Sequence, residues 1–187
     1  KISKEKIKVY PVFENLKKNN NNKSNSFIYP TTISKHKNNL RLLKAFVQSA
    51  NQIPNLSFNL KITISNTPET EKVMLNASKN LTVDFLGSLS REDAIDEISK
   101  AKFLIYPSLT ESFGLPLIEG CQLGCYIICS DLPYVHEIIR PSLTFDPYSV
   151  KSISKMINQS LQDKNLIFTE MKIESATQLI LNEITHV

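Results

Sequence analysis

The sequence predicts an α/β fold, a doubly wound parallel sheet of about six strands with helices on both faces, and three observations carry that reading. Strand-sized apolar runs alternate with helix-sized segments from Phe27 onward. The four glycines, Gly87, Gly114, Gly120 and Gly124, all follow strand ends or sit on one helix and its terminus, where backbone takes positive φ or approaches something closely. The short apolar run Ala101–Pro107 leads into a polar loop and then a helix, and in an open parallel sheet that strand-end crevice is where ligands bind.

Taken in order, residues 1–26 read as a linker or interdomain segment. Lys6–Pro11 could form an edge strand, Leu16–Ser26 is a low-complexity run of Lys, Asn and Ser, and packing is expected to begin at Phe27. Residues 27–165 read as the packed domain and 166–187 as a carboxyl-terminal helix. Strands are expected at 27–30, 58–64, 82–86, 103–106, 125–129 and 143–145. Helices are expected at 38–50, 69–78, 90–101, 115–123, 134–139, near 148–162 and near 168–185. Helix 38–50 sets Leu40, Leu43, Phe46 and Val47 on one stripe, suited to packing on a sheet. Ser90 followed by Asp93 makes a capping-box-like start, Asp131-Leu132-Pro133 opens the 134–139 helix, and Asp146-Pro147 ends the last strand.

Composition narrows the function classes. The chain has 187 residues, 41% of them hydrophobic and 21% charged, enough for one substantial core. It begins at Lys1 and has neither an apolar signal segment nor an apolar run of eighteen residues, so the expectation is a cytoplasmic domain, a piece of something longer. Of 22 Lys and Arg, 11 fall in residues 1–44 against only Glu5 and Glu14. A solvated linker is the simplest account; an anionic ligand, or an inner membrane face bearing a lipid-linked acceptor, is the alternative. Nucleic acid is not expected, because the basic stretch has no interleaved aromatic platform. Cys121, Cys125 and Cys129 lack the pairing and nearby histidines of a metal site and read as free thiols, so no metal is expected. The Gly-x-Gly-x-x-Gly and Gly-x4-Gly-Lys-Ser/Thr loops are absent, which sets dehydrogenase and P-loop readings aside.

The functional signal is Glu111 and Glu119, separated by Ser112-Phe113-Gly114-Leu115-Pro116-Leu117-Ile118 and followed by Gly120. Spacing alone would be unremarkable among twelve glutamates; its place at a strand-loop-helix junction is what counts. Amides of the first turn after Gly114, with the positive end of the helix dipole, form a cradle for a diphosphate, and Pro116 is tolerated there because its missing N–H is not needed. Gly114 is expected to let the phosphate oxygens come close. Glu119 is placed to accept from a ribose diol and Glu111 from sugar hydroxyls. Lys37, in the loop Ser34-Lys35-His36-Lys37-Asn38, reaches the same phosphates if the loops after the first and fourth strands are neighbours at the switch point, and would stabilise a departing diphosphate.

Residues 27 to about 150 resemble the carboxyl-terminal donor-binding domain of retaining GT-B fold glycosyltransferases, family 4 or group 1. Pro107–Gly120 is similar to that family's Glu-x7-Glu motif almost residue by residue. Val83–Gly87, Ser130–Pro133 with Glu137, Phe145–Pro147, and Tyr29-Pro30 with His36-Lys37-Asn38 are supporting matches. The resemblance implies a Rossmann-like half of a GT-B fold that binds a UDP-, GDP- or ADP-sugar, with no cofactor or metal required, and transfers the sugar with retention to an acceptor hydroxyl in polysaccharide or glycoconjugate assembly. It implies Glu111 and Lys37 as catalytic residues. It further implies Thr32, Lys37, Gly87, Ser112, Phe113, Gly114, Leu115 and Glu119 as donor-binding residues, with Gly87–Ser90 lining the base pocket. Many members carry Gly-Arg where this chain has Thr31-Thr32, and glycines where it has Ser65-Asn66; Lys35 is one candidate to replace the lost cation. The resemblance also implies an amino-terminal acceptor domain outside this chain, without which the fragment transfers nothing. A nucleotide-sugar-binding module without transfer activity, and a GT-B-like epimerase or phosphorylase, are the alternatives.

Overall fold

Strands buried on both faces read as nearly continuous apolar runs, and Phe27, Ile28 and Tyr29, Phe103 through Tyr106, and Ile127 through Cys129 are all sealed from solvent. A computed structural model describes residues 13–16, 24–173 and 175–176. In it β1 (Ser24–Tyr29), β2 (Phe58–Ile62), β3 (Leu81–Phe85), β4 (Ala101–Tyr106), β5 (Tyr126–Ser130) and, after the two-residue β6 (Ile139–Arg140), β7 (Leu143–Phe145) follow one another along the chain. Six of them form one parallel sheet in the order β3-β2-β1-β4-β5-β7. The chain direction across the sheet therefore reverses between β1 and β4, the expected switch point.

Helices α1 (Asn39–Gln52), α2 (Pro68–Met74), α3 (Arg91–Lys100), α4 (Leu115–Gln122), α5 (Pro133–Ile138) and α6 (Val150–Gln162) make the crossovers. α1 packs with α2 and α6, and α3 with α4, as the right-handed crossovers on either side of a switch point require. The middle of the sheet is held by aromatic rings: Phe27 stacks on Phe103 at 4.8 Å between centroids and meets Phe46 of α1 edge-on at 5.1 Å. Where α4 crosses β4, a Cβ on Gly120 would lie 2.7 Å from Leu104 Cδ1, so glycine there lets the helix sit close to the strand. The α3 start is capped as expected, Ser90 Oγ accepting from the Asp93 amide at 3.1 Å.

Several expectations are corrected. Packing does not begin at Phe27: β1 starts at Ser24, and Phe13, in the supposed linker, is buried. Leu40 is 43% exposed, because at the first turn of α1 a side chain leans back past the end of the sheet while Leu42, Leu43 and Phe46 take the core stripe. Residues 168–173 are extended rather than helical, with Glu170–Met171 (β8) antiparallel to β6. The reason is local: β7 pairs only with Ile128–Ser130, leaving the Ile127 amide to the Thr169 hydroxyl at 2.8 Å, so this segment is held as an extended strap over β5. The rest of the expected 168–185 helix, the Lys6–Pro11 strand and most of the low-complexity run lie outside the described residues. Cys121 and Cys129 are free thiols, and the Cys125 thiol donates to the Ile98 and Ala101 carbonyls at 3.4 Å; burial pushes Cys121 up to about 11 and Cys129 up as well, so neither presents a thiolate.

At the switch point the loops are joined by one side chain. Asn38 sits in the left-handed region, φ 61°, between a single 3-10 turn (Lys35–Lys37) and α1. From there its Nδ2 donates to the carbonyls of Pro147 at 2.7 Å and Pro107 at 3.2 Å, in the loops after β7 and β4, while Arg41 holds its Oδ1. Asparagine is the non-glycine residue that best tolerates this backbone. Asn38→Ala removes two buried hydrogen bonds and places an alanine at positive φ, an expected loss of about 2–4 kcal/mol. Denaturant unfolding checks it, and a loss under ~1 kcal/mol would mean that the joint is not what holds these loops.

Candidate functional site

The polar residues singled out in the sequence meet along the carboxyl ends of β1 and β4. Leu109 N–H donates to the His36 carbonyl at 2.8 Å, bringing the two loops into direct contact. Lys37 Nζ reaches Glu111 Oε1 at 2.7 Å, with both side chains more than four-fifths buried. The ammonium also lies 5.8 Å from the centroid of the Tyr106 ring. Burial alone would raise the Glu111 carboxyl, but hydrogen bonding and charge from Lys37, with the polar contacts of Ser108 and Tyr106, hold it below the usual carboxylate range.

Beneath this pair is a floor of phenols. Tyr29 OH donates to the Lys37 carbonyl at 2.7 Å and lies 3.1 Å from Ser108 Oγ, and Tyr134 OH donates to the Ser108 carbonyl at 3.0 Å. Tyr29 and Tyr106 meet edge-on at 5.8 Å. Burial first, and the Glu111 charge after it, push the phenols of Tyr29, Tyr106 and Tyr134 up, so all three remain neutral donors.

The loop after Glu111 prepares an anion cradle. Among the described residues the amides of Ser112, Phe113, Gly114 and Leu115 meet no protein acceptor, while the Leu117 amide is already bonded to the Gly114 carbonyl at 2.9 Å. Gly114 caps α4 with φ 71°. A Cβ there would face Leu117 Cδ1 at 3.3 Å and Ile138 Cδ1 at 3.5 Å. Glycine is thus favoured by the backbone and by packing beneath the loop. Phe113 is half-buried and packs on Phe13 with centroids 6.5 Å apart.

Glu119, one helical turn beyond Leu115, is 8% exposed. Its Oε1 is bound by Arg91 Nη1 at 2.6 Å, and Arg91 Nη2 lies 3.5 Å from Glu14. The hydrogen bond and charge of Glu119 hold the Arg91 guanidinium further above its ordinary value. Arg91 escaped the sequence reading. The signal was present, since a cation at the first position of a helix opposes the dipole and needs a reason.

At the start of α3, a cleft of about 320 Å³ is lined by Thr31, Thr32 and Ile33 after β1, Thr63–Ser65 after β2, and Ser88, Leu89 and Ala94 after β3. Thr32 thus faces the cleft, and Gly87, φ 70°, turns the chain at its edge. Thr31 is instead stitched into the fold: its amide and carbonyl both bond the Thr63 hydroxyl at 2.7 Å. Lys35 lines another groove, with Arg41 and Lys44. Lys37, Glu111, Ser112, Phe113, Gly114 and Leu115 are brought together in one place, Thr32 lines the cleft, and Glu119 is tied to the start of α3 through Arg91.

The sequence model described as Glycosyl transferases group 1 matches residues 12–179. The O-antigen chain mannosyltransferase B of Escherichia coli is 37% identical over 82 residues, 43% of this chain and 22% of that protein, so this chain spans about a fifth of that relative's length. Among solved structures, S. aureus TarM in complex with fondaparinux, α-GlcNAc-glycerol and UDP superposes with a TM-score of 0.67 at 12% identity, covering 81% of this chain and 31% of that one. The pneumococcal O-GlcNAc transferase GtfA in complex with UDP and GlcNAc gives 0.61 at 19% identity, covering 83% and 32%. With its parallel sheet, its switch point and the family match over most of its length, the chain belongs to the group 1 glycosyl transferases and has the fold of one Rossmann-like half of a GT-B enzyme.

Proposed function

We propose that this chain is the donor-binding half of a glycosyltransferase that moves a hexose from a nucleotide-diphosphate sugar to an acceptor hydroxyl, with retention and without an obligatory metal, in polysaccharide or glycoconjugate assembly. The observation that carries the reading is the row of acceptor-less amides from Ser112 to Leu115 set beside the Lys37 ammonium. Donors preorganised at a buried strand end favour the charge that accumulates on a departing diphosphate more than the charge of the bound ground state. Mannose is the sugar we assign first, because the E. coli relative is a mannosyltransferase. The polypeptide that contains this chain supplies the acceptor from a second domain, and this half alone binds nucleotide without turnover.

Along the sheet edge the assignments run in order. The cleft between the loops after β1, β2 and β3 takes the base, Glu119 the ribose diol, the Ser112–Leu115 amides and Lys37 the diphosphate, and Glu111 the hexose. When the anomeric C–O bond breaks, its electrons go to the diphosphate oxygen, which Lys37 and the amides stabilise. The acceptor oxygen bonds the anomeric carbon from the face that the diphosphate leaves, and its proton passes to that leaving oxygen. With the donor bound, Lys37 exchanges its hold on Glu111 for the phosphate, freeing Glu111 for sugar hydroxyls.

Two outcomes test this. In calorimetry with UDP, GDP and ADP, Glu119→Ala lowers affinity for the preferred nucleotide about tenfold or more, the loss of a hydrogen bond to a charged group. In the complete polypeptide Lys37→Ala lowers turnover of labelled donor about 10²–10³-fold. Unchanged affinity removes the ribose assignment, and unchanged turnover removes Lys37 from the chemistry. The Glu111 pair also has a pH signature. Because its carboxyl is held low in the folded state, its stabilisation is present above the ordinary carboxylate pKa and fades as pH falls below about 4. The stability difference between wild type and Glu111→Gln, followed by thermal melts, therefore shrinks between pH 6 and 3.

A further inference from the structure

Glu119 raises a problem of its own that the nucleotide reading leaves open. A carboxylate 8% exposed, flanked on α4 by the buried Leu117 and Ile118, is costly to keep without a partner whenever the site is empty. The partner is Arg91, and the way it binds is selective. Nη1 takes Oε1 at 2.6 Å, in a single hydrogen bond rather than the bidentate fork that an arginine and a carboxylate usually adopt. Among the described residues no donor meets Oε2, and this oxygen is not one of the buried atoms lacking a partner, so it opens to solvent. One oxygen is held and the other offered.

The placement of Arg91 supports more than charge neutralisation. It is the first residue of α3, between Leu89 and Ala94, both of which line the 320 Å³ cleft. Its bond to Glu119 ties this end of α3 to α4. Its side chain remains half exposed, and its second contact, Glu14 at 3.5 Å, is between exposed groups and contributes little. A cation at the positive end of a helix is not there for the helix. What holds it is Glu119.

We propose that Arg91 is a positioning residue for nucleotide recognition: by clamping Oε1 it fixes the rotamer of Glu119 so that Oε2 accepts from the ribose 2′-hydroxyl of the donor. The inference rests on the ribose assignment of Glu119 made above and adds the residue that gives that carboxylate its aim. Arg91 also supplies a fixed cation near the nucleotide in a chain that has Thr31-Thr32 where many relatives carry Gly-Arg. Its role differs from that of the lost arginine, since it acts through Glu119 and leaves the phosphates to Lys37 and the Ser112–Leu115 amides.

The test is calorimetry on the full chain with UDP, GDP and ADP, each beside its 2′-deoxy form. Wild type is expected to favour the ribonucleotide about tenfold or more, the value of one hydrogen bond to a charged group. Arg91→Met is expected to reduce that preference to under about threefold by weakening the ribonucleotide, with the deoxy form and inorganic pyrophosphate bound as before. Arg91→Lys, which restores a donor but not the planar fork, recovers part of the preference. If Arg91→Met weakens ribo and deoxy forms equally, Arg91 acts on the base, the phosphate or the fold, and the proposal is wrong. The same holds if the preference survives intact. Glu119→Gln separates the two levels. Loss of the preference in Glu119→Gln but not in Arg91→Met sinks only the role of Arg91. A preference that survives Glu119→Gln, or is missing in wild type, overturns the ribose assignment and this inference with it.

Discussion

The architecture of the site depends on Asn38 holding a left-handed backbone at the point where the sheet reverses direction. A doubly wound sheet creates a crevice at its switch point for topological reasons, but topology alone does not fix how far apart the flanking loops stand. Here the distance is set by two hydrogen bonds from one amide group, to the loops after β4 and β7. Lys37, one residue earlier, is delivered to Glu111 as a consequence, and the Leu109–His36 backbone bond locks the same pair of loops a second time. The phenols of Tyr29 and Tyr134 then bond backbone carbonyls of these loops from below, so a crevice of irregular backbone leaves few unmet groups on its protein side.

Electrostatically the site repeats one device. Each glutamate of the motif is largely buried and each is held by a cation from a different loop: Lys37 for Glu111 and Arg91 for Glu119. Neither pair is a stability device in the first instance, since desolvating two charges offsets most of what their attraction contributes. Their value lies in geometry. A carboxylate bound through one oxygen has its rotamer chosen for it while the second oxygen remains able to accept, and a ligand need not supply the ordering entropy. The difference lies in the cation. Lys37 is a point charge on a flexible stem, suited to moving between a carboxylate and a phosphate, whereas the guanidinium of Arg91 is planar and better suited to staying.

The parallel sheet, its switch point and the placing of Glu111, Gly114 and Lys37 were legible because they follow from patterns local in sequence: apolar runs, a capped helix start, a loop between two such elements. What was not legible depended on contacts distant in sequence. Phe13 reads as linker because its ring-on-ring partner, Phe113, is a hundred residues away. The extended strap at Thr169 reads as helix because the orphaned Ile127 amide that captures it exists only once β7 proves too short to cover β5. Gly114 was singled out in the sequence for the approach it would give an anion, whereas the contacts of its missing Cβ, with Leu117 and Ile138, lie on residues the sequence did not bring to it. Arg91 is a different case, a local signal passed over because nothing in the sequence places the start of α3 next to α4.

The spacing of the two glutamates itself has a mechanical explanation. From Glu111 to Gly114 the chain is loop; from Leu115 it is helix, so Glu119 stands four residues, one turn and a rise of about 6 Å, beyond the last free amide. Residues four apart share a helix face, and the face in question is open at its base, where Leu115 is 39% exposed. In the proposed binding mode, an anion on the Ser112–Leu115 amides and a hydroxyl on Glu119 Oε2 would follow one another along α4, phosphate then ribose. Glu111 lies at the other end of the motif, against Lys37, in the loop after β4. The seven intervening residues are thus the loop Ser112–Gly114 plus one helical turn. Shortening the loop would draw Glu111 off Lys37, and lengthening the helical part would rotate Glu119 away from Arg91 by about 100° for each residue added.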